Sequence, residues 1–164
     1  MITLEKVSKE DQYILHNIMQ FYIYEFSQYI TAIKLESHGS FMPFQLEDYW
    51  KEPNMHPFFI KLEEELIGFA LIESESDISP NTVVEFFIMA KYKGKGYGKE
   101  AATQLFHMFP GNWEITQIEK NYPAQAFWRS LTNHITNGNV VERYDEHRRS
   151  IQEFHTDSIN ESLS

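Results

Sequence analysis

The sequence predicts a mixed α/β domain, one sheet with helices on both faces. Three observations point there. Residues 57–73, "PFFIKLEEELIGFALIE", have the pattern of a β-hairpin. Residues 83–90 form a near-continuous apolar run that passes through a glycine loop into an amphipathic helix. Strand and helix patterns then alternate around that central unit. A chain of 164 residues with 42% hydrophobic content suits a single domain with a real core. We expect that domain over 1–156 and a polar, frayed tail over 157–164.

"MITLEKV" reads as a short first strand. Ser8 offers N-cap chemistry, and apolar residues Ile14, Leu15, Ile18, Met19, Tyr22 and Phe26 recur at helical spacing. A helix over about 9–29 follows. Residues 31–56 are irregular, with a short helix near 45–51. Strands at about 57–63 and 66–73 flank a tight turn at Glu64–Glu65. The apolar run at 83–90 reads as a central strand covered on both faces. After the glycine loop, Ala101, Ala102, Leu105, Met108 and Phe109 form a helical stripe, stopped by Pro110–Gly111. "WEITQIE" is the next strand. "NYPAQAFWRSL" is the next helix, with Pro123 suited to its first turn and Ala124, Phe127, Trp128 and Leu131 on one face. Two strands at about 139–145 and 149–155, joined by the charged "DEHRR" turn, close the domain.

Composition narrows the function. With no cysteine, disulfides, thiol catalysis and thiolate metal sites are excluded. The first residues lack the apolar core of a signal peptide, and no apolar run nears the roughly 20 residues that span a bilayer. The expectation is a cytoplasmic protein with no membrane partner. A formal charge of −10 argues against nucleic acid as the main partner. The seven histidines show no metal-ligand spacing, and no G-x-S-x-G is present, so neither a metal site nor a serine hydrolase is expected.

Against that acidic background, "KYKGKGYGKE" at 91–100 gathers Lys91, Lys93, Lys95 and Lys99 around Gly94, Gly96 and Gly98. Glycines allow positive φ and bare backbone. N–H groups at a helix N-terminus bind phosphate, and lysines add charge at the rim. A solvated turn is the alternative. The Walker pattern fails, because Glu100 follows Lys99. Gly96, Gly98 and Ala101 do fit the dinucleotide G-x-G-x-x-A, and Glu119 lies near the position of a ribose acid.

"VVEFFIMAKYKGKGYGKEAATQLF" resembles the central motif of the GNAT N-acetyltransferase superfamily. The signature [Q/R]-x-x-G-x-[G/A] falls on Lys93, Gly96 and Gly98, with Lys in the Gln/Arg position. "EKNYPAQAFWRSL" resembles the second signature, N-x-x-A-x-x-F-Y, on Asn121, Ala124, Phe127 and Trp128, with Trp for Tyr. The combination is most similar to a small predicted acetyltransferase subgroup, and the resemblance covers about 2–155. It implies a GNAT-like acyl-CoA N-acyltransferase fold with a mixed, mostly antiparallel central sheet. It also implies acetyl-CoA as cosubstrate, held in a split between the 83–90 and 113–119 strands. The pantetheine arm would pair with the backbone of Phe86, Phe87 and Ile88. The pyrophosphate would lie on Lys93, Gly94, Lys95, Gly96, Tyr97, Gly98 and Lys99. Asn121 would face pantetheine or phosphate, and Ala124, Phe127 and Trp128 would flank the thioester.

The implied reaction is direct attack by a primary amine, from a small molecule or a peptide, on the thioester carbonyl. An N–H at Ile88 would stabilise the developing oxyanion. Glu85 is the candidate base, directly or through water, as the lone charge in the apolar run; a strand-edge or lysine-paired carboxylate is the alternative. Trp128 departs from the family's acid, since an indole N–H donates but does not release a usable proton. For the acceptor, Tyr22, Glu25, Phe26 and Tyr29 share a helix face and could hold an ammonium by charge and cation–π contact; core packing is the alternative. A catalytically silent CoA-binding regulatory module and an NAD(P)-binding redox domain stand as alternative functions. The sequence is compatible with a monomer or a homodimer.

Overall fold

The computed structural model describes residues 1–161. Among them the strands β1 (Ile2–Lys6), β2 (Met55–Leu62), β3 (Glu65–Glu73), β4 (Asn81–Ile88), β5 (Asn112–Gln117), β6 (Val141–Tyr144) and β7 (Ser150–His155) form one sheet in the order β1-β2-β3-β4-β5-β7-β6. Its neighbours are antiparallel except β4 and β5. That single parallel step is bridged by a helix at Tyr97–Met108, here α2. A dinucleotide-binding domain needs a run of parallel strands, so the redox alternative loses its scaffold.

Two cores follow from strand alternation. On one face Phe59, Phe69, Leu71 and Phe87 pack with Leu15, Met19 and Tyr22 of α1 (Gln12–Phe26). On the other, Phe58, Ile60, Ala70, Ile72, Val83 and Ile88 pack with Ala101, Ala102, Leu105 and Phe106 of α2 and with Trp128, Leu131 and Ile135 of α3 (Tyr122–Ile135). Residues i and i+2 of a strand share a face, so adjacent apolar residues in β2 and β3 serve both layers.

Several boundaries differ from the sequence expectations. The helix expected at 9–29 is regular only over α1; Lys9–Asp11 form a tight 3-10 turn, and Ser8 makes no side-chain cap hydrogen bond. The hairpin turn sits at residues 63–64, one position early, with Glu63 at φ 54°. In α2, Phe106 rather than Met108 faces the core. The strand expected at 83–90 runs 81–88 and is not covered throughout, since Val84 is exposed. The tail is tied down further than its polarity predicts. Ile159 packs on the core, and the Asn160 N–H donates to the Ile135 carbonyl at 2.7 Å. Residues 162–164 of that tail lie outside the described residues. No helix among the described residues is long and apolar enough to cross a membrane.

β3 and β4 approach unusually closely at Gly68. A Cβ there would lie 1.9 Å from the Phe87 carbonyl oxygen, and its nearest neighbours are all β4 backbone rather than a flexible side chain that could yield. Gly68→Ala is therefore expected to cost at least ~2 kcal/mol, lowering the midpoint of thermal unfolding by about 5 °C or more. An unchanged melting curve would show that the strands separate freely here.

Candidate active site

β4 leaves its register with β3 at one point. Leu71 pairs with Glu85 and Ile72 with Val83, so Val84 is an extra residue, a β-bulge. Val83 faces the α2–α3 core. Without the bulge Glu85 would share that face; with it, Glu85 joins Phe87 on the α1 side. There Tyr22 of α1 donates its hydroxyl to the Glu85 carboxylate. Burial raises the Glu85 pKa to about 7, against a partial lowering by the Tyr22 hydrogen bond. Burial, and then the Glu85 charge, hold the Tyr22 phenol well above its ordinary range.

The same strand parts from β5. The two pair only through Asn81–Trp113 and Thr82–Glu114. Buried Asn81 closes the root of the split: its Oδ1 accepts from the Glu75 N–H at 2.7 Å, and its Nδ2 donates to the Phe109 and Asn112 carbonyls. Beyond it β4 has a partner on one side only. The Met89 N–H donates to the Ile67 carbonyl of β3 at 2.8 Å, and the Phe87 carbonyl abuts Gly68. Alternation along an antiparallel ladder then turns the N–H and C=O groups of Phe86 and Ile88 into the split. Those of Phe87 face β3, so the backbone role expected of Phe87 is not open to it; it contributes its ring.

At the wide end, Gly94 and Gly96 adopt φ 78° and 86°, values that favour glycine, and Gly96 caps α2. The first-turn N–H groups of α2 thus face the end of the split. Gly98 has a different task. A Cβ there would meet the Phe127 ring at 3.3 Å, so glycine lets α2 close on α3. Asn121 caps α3, its Oδ1 accepting from the Ala124 N–H at 3.2 Å, and this leaves its amide NH2 for the cleft. Together β4, α1, the α2 N-terminus and α3 enclose a cleft of about 770 Å³, within the roughly 300–1,000 Å³ range of small-molecule sites.

A model of the Acetyltransferase (GNAT) family matches residues 19–132, which include all of this geometry. The chain belongs to the GNAT acetyltransferase family. Comparison with curated proteins gives no match. Among solved structures, an acetyltransferase from Thermus thermophilus superposes with a TM-score of 0.69 at 16% identity, covering 94% of this chain and 97% of that one. The ribosomal-protein-S18-alanine N-acetyltransferase from Escherichia coli gives 0.62 at 14%, covering 100% and 99%. A streptothricin acetyltransferase, so described from Bacillus anthracis in complex with acetyl coenzyme A, gives 0.56 at 11%, covering 94% and 97%. At such identities the likeness is one of fold.

Most GNAT positions read from the sequence meet at this cleft. Phe86, Phe87, Ile88, Lys93, Gly94, Gly96, Gly98, Lys99, Asn121, Ala124, Phe127 and Trp128 line it, and so do Tyr22, Glu25, Phe26 and Tyr29. Lys95, Tyr97 and Glu85 do not line it; Tyr97 packs on the core beside Tyr92. Two couplings escape sequence reasoning. One is Tyr22 with Glu85. The other is Lys93, whose Nζ lies 3.1 Å from a Glu25 carboxylate oxygen and ties the glycine loop to α1. Tyr92 and Pro123 also line the cleft; the sequence marks Pro123 only as a helix starter. The Glu119 carboxylate pairs with Arg148 at 3.5 Å rather than awaiting a ribose.

The Glu85 pKa carries a stability consequence. Its folded value of about 7 exceeds the ordinary 4.5. The folded state therefore holds this proton more tightly, and stability falls as pH rises from about 4.5 to 7 and stays lower above that. The loss is at most about 3 kcal/mol. Urea unfolding at about pH 5 and about pH 8, either side of that window, is expected to show Glu85→Gln losing less stability than the wild type. Parallel losses would mean that Glu85 titrates as an ordinary surface carboxylate.

Proposed function

We infer that the protein transfers the acetyl group of acetyl-CoA to the primary amine of a small, cationic acceptor by direct attack. One observation carries this. The half-open strand, with no neighbouring strand opposite the cleft-side backbone of Phe86 and Ile88, leads straight to a glycine-shaped helix N-terminus. A carboxylate with a pKa of about 7 stands behind the same strand.

These residues fit the cosubstrate. The Phe86 and Ile88 backbone can take an extended amide-bearing arm as a strand would be taken. The α2 N-terminus and the lysines suit a pyrophosphate. Lys95 and Lys99 make no ion pair among the described residues, whereas Lys91 pairs with Glu65 at 3.7 Å and Lys93 with Glu25. Acetyl-CoA, when bound, supplies an activated thioester carbonyl. The Ile88 N–H donates to charge developing on the carbonyl oxygen. Glu85, part-ionised near neutral pH and ionised above it, receives the proton that the amine must lose. Trp128, buried against Phe86 and Phe127 at ring-centroid distances of 5.1 and 4.9 Å, walls the reacting region and excludes water.

The acceptor end is aromatic and carries one carboxylate. Glu25 neighbours Tyr22, Phe26 and Tyr29, a set suited to an ammonium. Its present partner, Lys93, belongs to the glycine loop, so an arriving pyrophosphate competes for Lys93 and frees Glu25 for the acceptor's charge. A CoA-binding module without turnover is the second reading, favoured by Trp128 where the family carries a tyrosine.

Saturating acetyl-CoA, at about 100 times its dissociation constant, is expected to stabilise the fold by ~2.7 kcal/mol, a rise of about 5–10 °C in the unfolding midpoint, with no rise for NAD. No shift with acetyl-CoA would remove the cofactor assignment. A shift without thiol release from any amine would leave the silent module. Among active amines, Glu25→Gln should raise KM about tenfold for cationic acceptors, equivalent to ~1.4 kcal/mol, and leave that for uncharged-chain amines nearly unchanged. Equal effects on both would take Glu25 out of acceptor recognition.

A further inference from the structure

The cleft wall includes Tyr22 but not Glu85, while the Tyr22 hydroxyl donates to the Glu85 carboxylate. From within the cleft the phenol is the lining group and the carboxylate stands behind it, while Glu85 is itself only half-buried and so keeps its own access to solvent. We propose that Tyr22 is a catalytic residue, a relay whose oxygen accepts the proton of the attacking nitrogen while its own hydroxyl proton passes to Glu85. The idea rests on the acetyltransferase reading above.

The step balances. The nitrogen–carbon bond forms, and the carbon–sulfur bond breaks with its electron pair kept by sulfur. The nitrogen's proton moves to the Tyr22 oxygen, and the Tyr22 proton moves to Glu85. Glu85 later returns the proton to solvent or thiolate along the same path. The phenol exchanges one proton for another and never has to ionise. That suits a tyrosine whose own ionisation is suppressed by burial and by the neighbouring carboxylate. Glu85, at about 7, is the acceptor that fills and empties near neutrality.

Packing fixes the geometry. The Tyr22 ring lies between Phe26, Phe69 and Phe87, at centroid distances of 4.6, 5.4 and 6.1 Å. The Phe86 N–H, on the cleft side of β4, acts on the Tyr22 oxygen and pulls its pKa part-way down. Two other ionisable groups stand near the pair. One is Tyr49, from the 3-10 turn at Glu47–Trp50, whose own phenol is pushed up by burial and then by the Glu85 charge. The other is Glu25, one turn along α1 and paired with Lys93.

The test compares wild type, Tyr22→Phe, Glu85→Gln and the double variant in thiol-release kinetics with an accepted amine. Tyr22→Phe is expected to lose about 100-fold in kcat, with KM for acetyl-CoA and thermal stability little changed. Its acid limb should move to higher pH, because the lost hydrogen bond had been lowering the Glu85 pKa. The double variant should be no slower than the slower single variant, as for groups that act as one unit. Tyr22→Phe within twofold of wild-type kcat, or single effects that multiply in the double variant, would overturn the relay alone. Wild type that binds acetyl-CoA yet acetylates no amine would overturn the acetyltransferase reading and the relay with it. Should Tyr22→Phe not fold, 3-fluorotyrosine incorporated at Tyr22 keeps the packing while changing phenol acidity; an altered kcat supports the relay, and an unaltered one sinks it.

Discussion

Val84 is passed over in the pairing of β3 with β4, and the site depends on that omission. Strand geometry allows a side chain two faces, and one extra residue exchanges them. Val83 before the bulge faces α2 and α3, whereas Glu85 after it faces α1. The carboxylate thereby lies under Tyr22, in a setting dry enough to bring its pKa to about 7. The bulge also falls where β4 parts from β5, so the strand presents an edge with no neighbouring strand and a titratable group on its α1 face. A β4 that kept its register with β3 would turn the Glu85 side chain to the α2–α3 face instead.

The glycines around the cleft divide into two physical kinds. Gly94 and Gly96 are needed for backbone conformation, with open space where a side chain would be. Gly98 and Gly68 are needed for closeness, of α2 to Phe127 and of β3 to β4. The first kind aims N–H groups at the end of the split. The second brings its walls together. The lysines of the loop also divide: Lys91 and Lys93 are engaged by Glu65 and Glu25, while Lys95 and Lys99 lack an ion pair among the described residues. The Lys93–Glu25 contact is half exposed, and such pairs hold weakly. That weakness suits a contact meant to be exchanged for a phosphate on one side and an ammonium on the other.

Much of the fold was legible because periodicity survives tertiary context. The hairpin of β2 and β3, the strand–loop–helix step of β4 and α2, and the α3 face of Ala124, Phe127, Trp128 and Leu131 all follow from patterns of two or 3.6 residues. The misreadings share a cause. Phe106 and Met108 are both apolar at the end of α2, and only contact with Trp113 and Phe154 selects Phe106 for the core. The polar tail looks free because its anchors, Ile135 and the core beneath Ile159, lie far away in sequence.

The sequence by itself determined the layers, the glycine-bearing helix start and the residue types of the cleft, since these rest on local spacing and backbone freedom. Only the tertiary structure decided which groups meet. A bulge leaves no mark in an apolar run, so nothing local told that Glu85 turns toward α1. Tyr22 and Glu85 are 63 positions apart, and Glu25 and Lys93 are 68 apart. Their pairing is set by the register of β4 against β3 and by how α1 lies across the sheet, quantities that arise only when the strands are assembled.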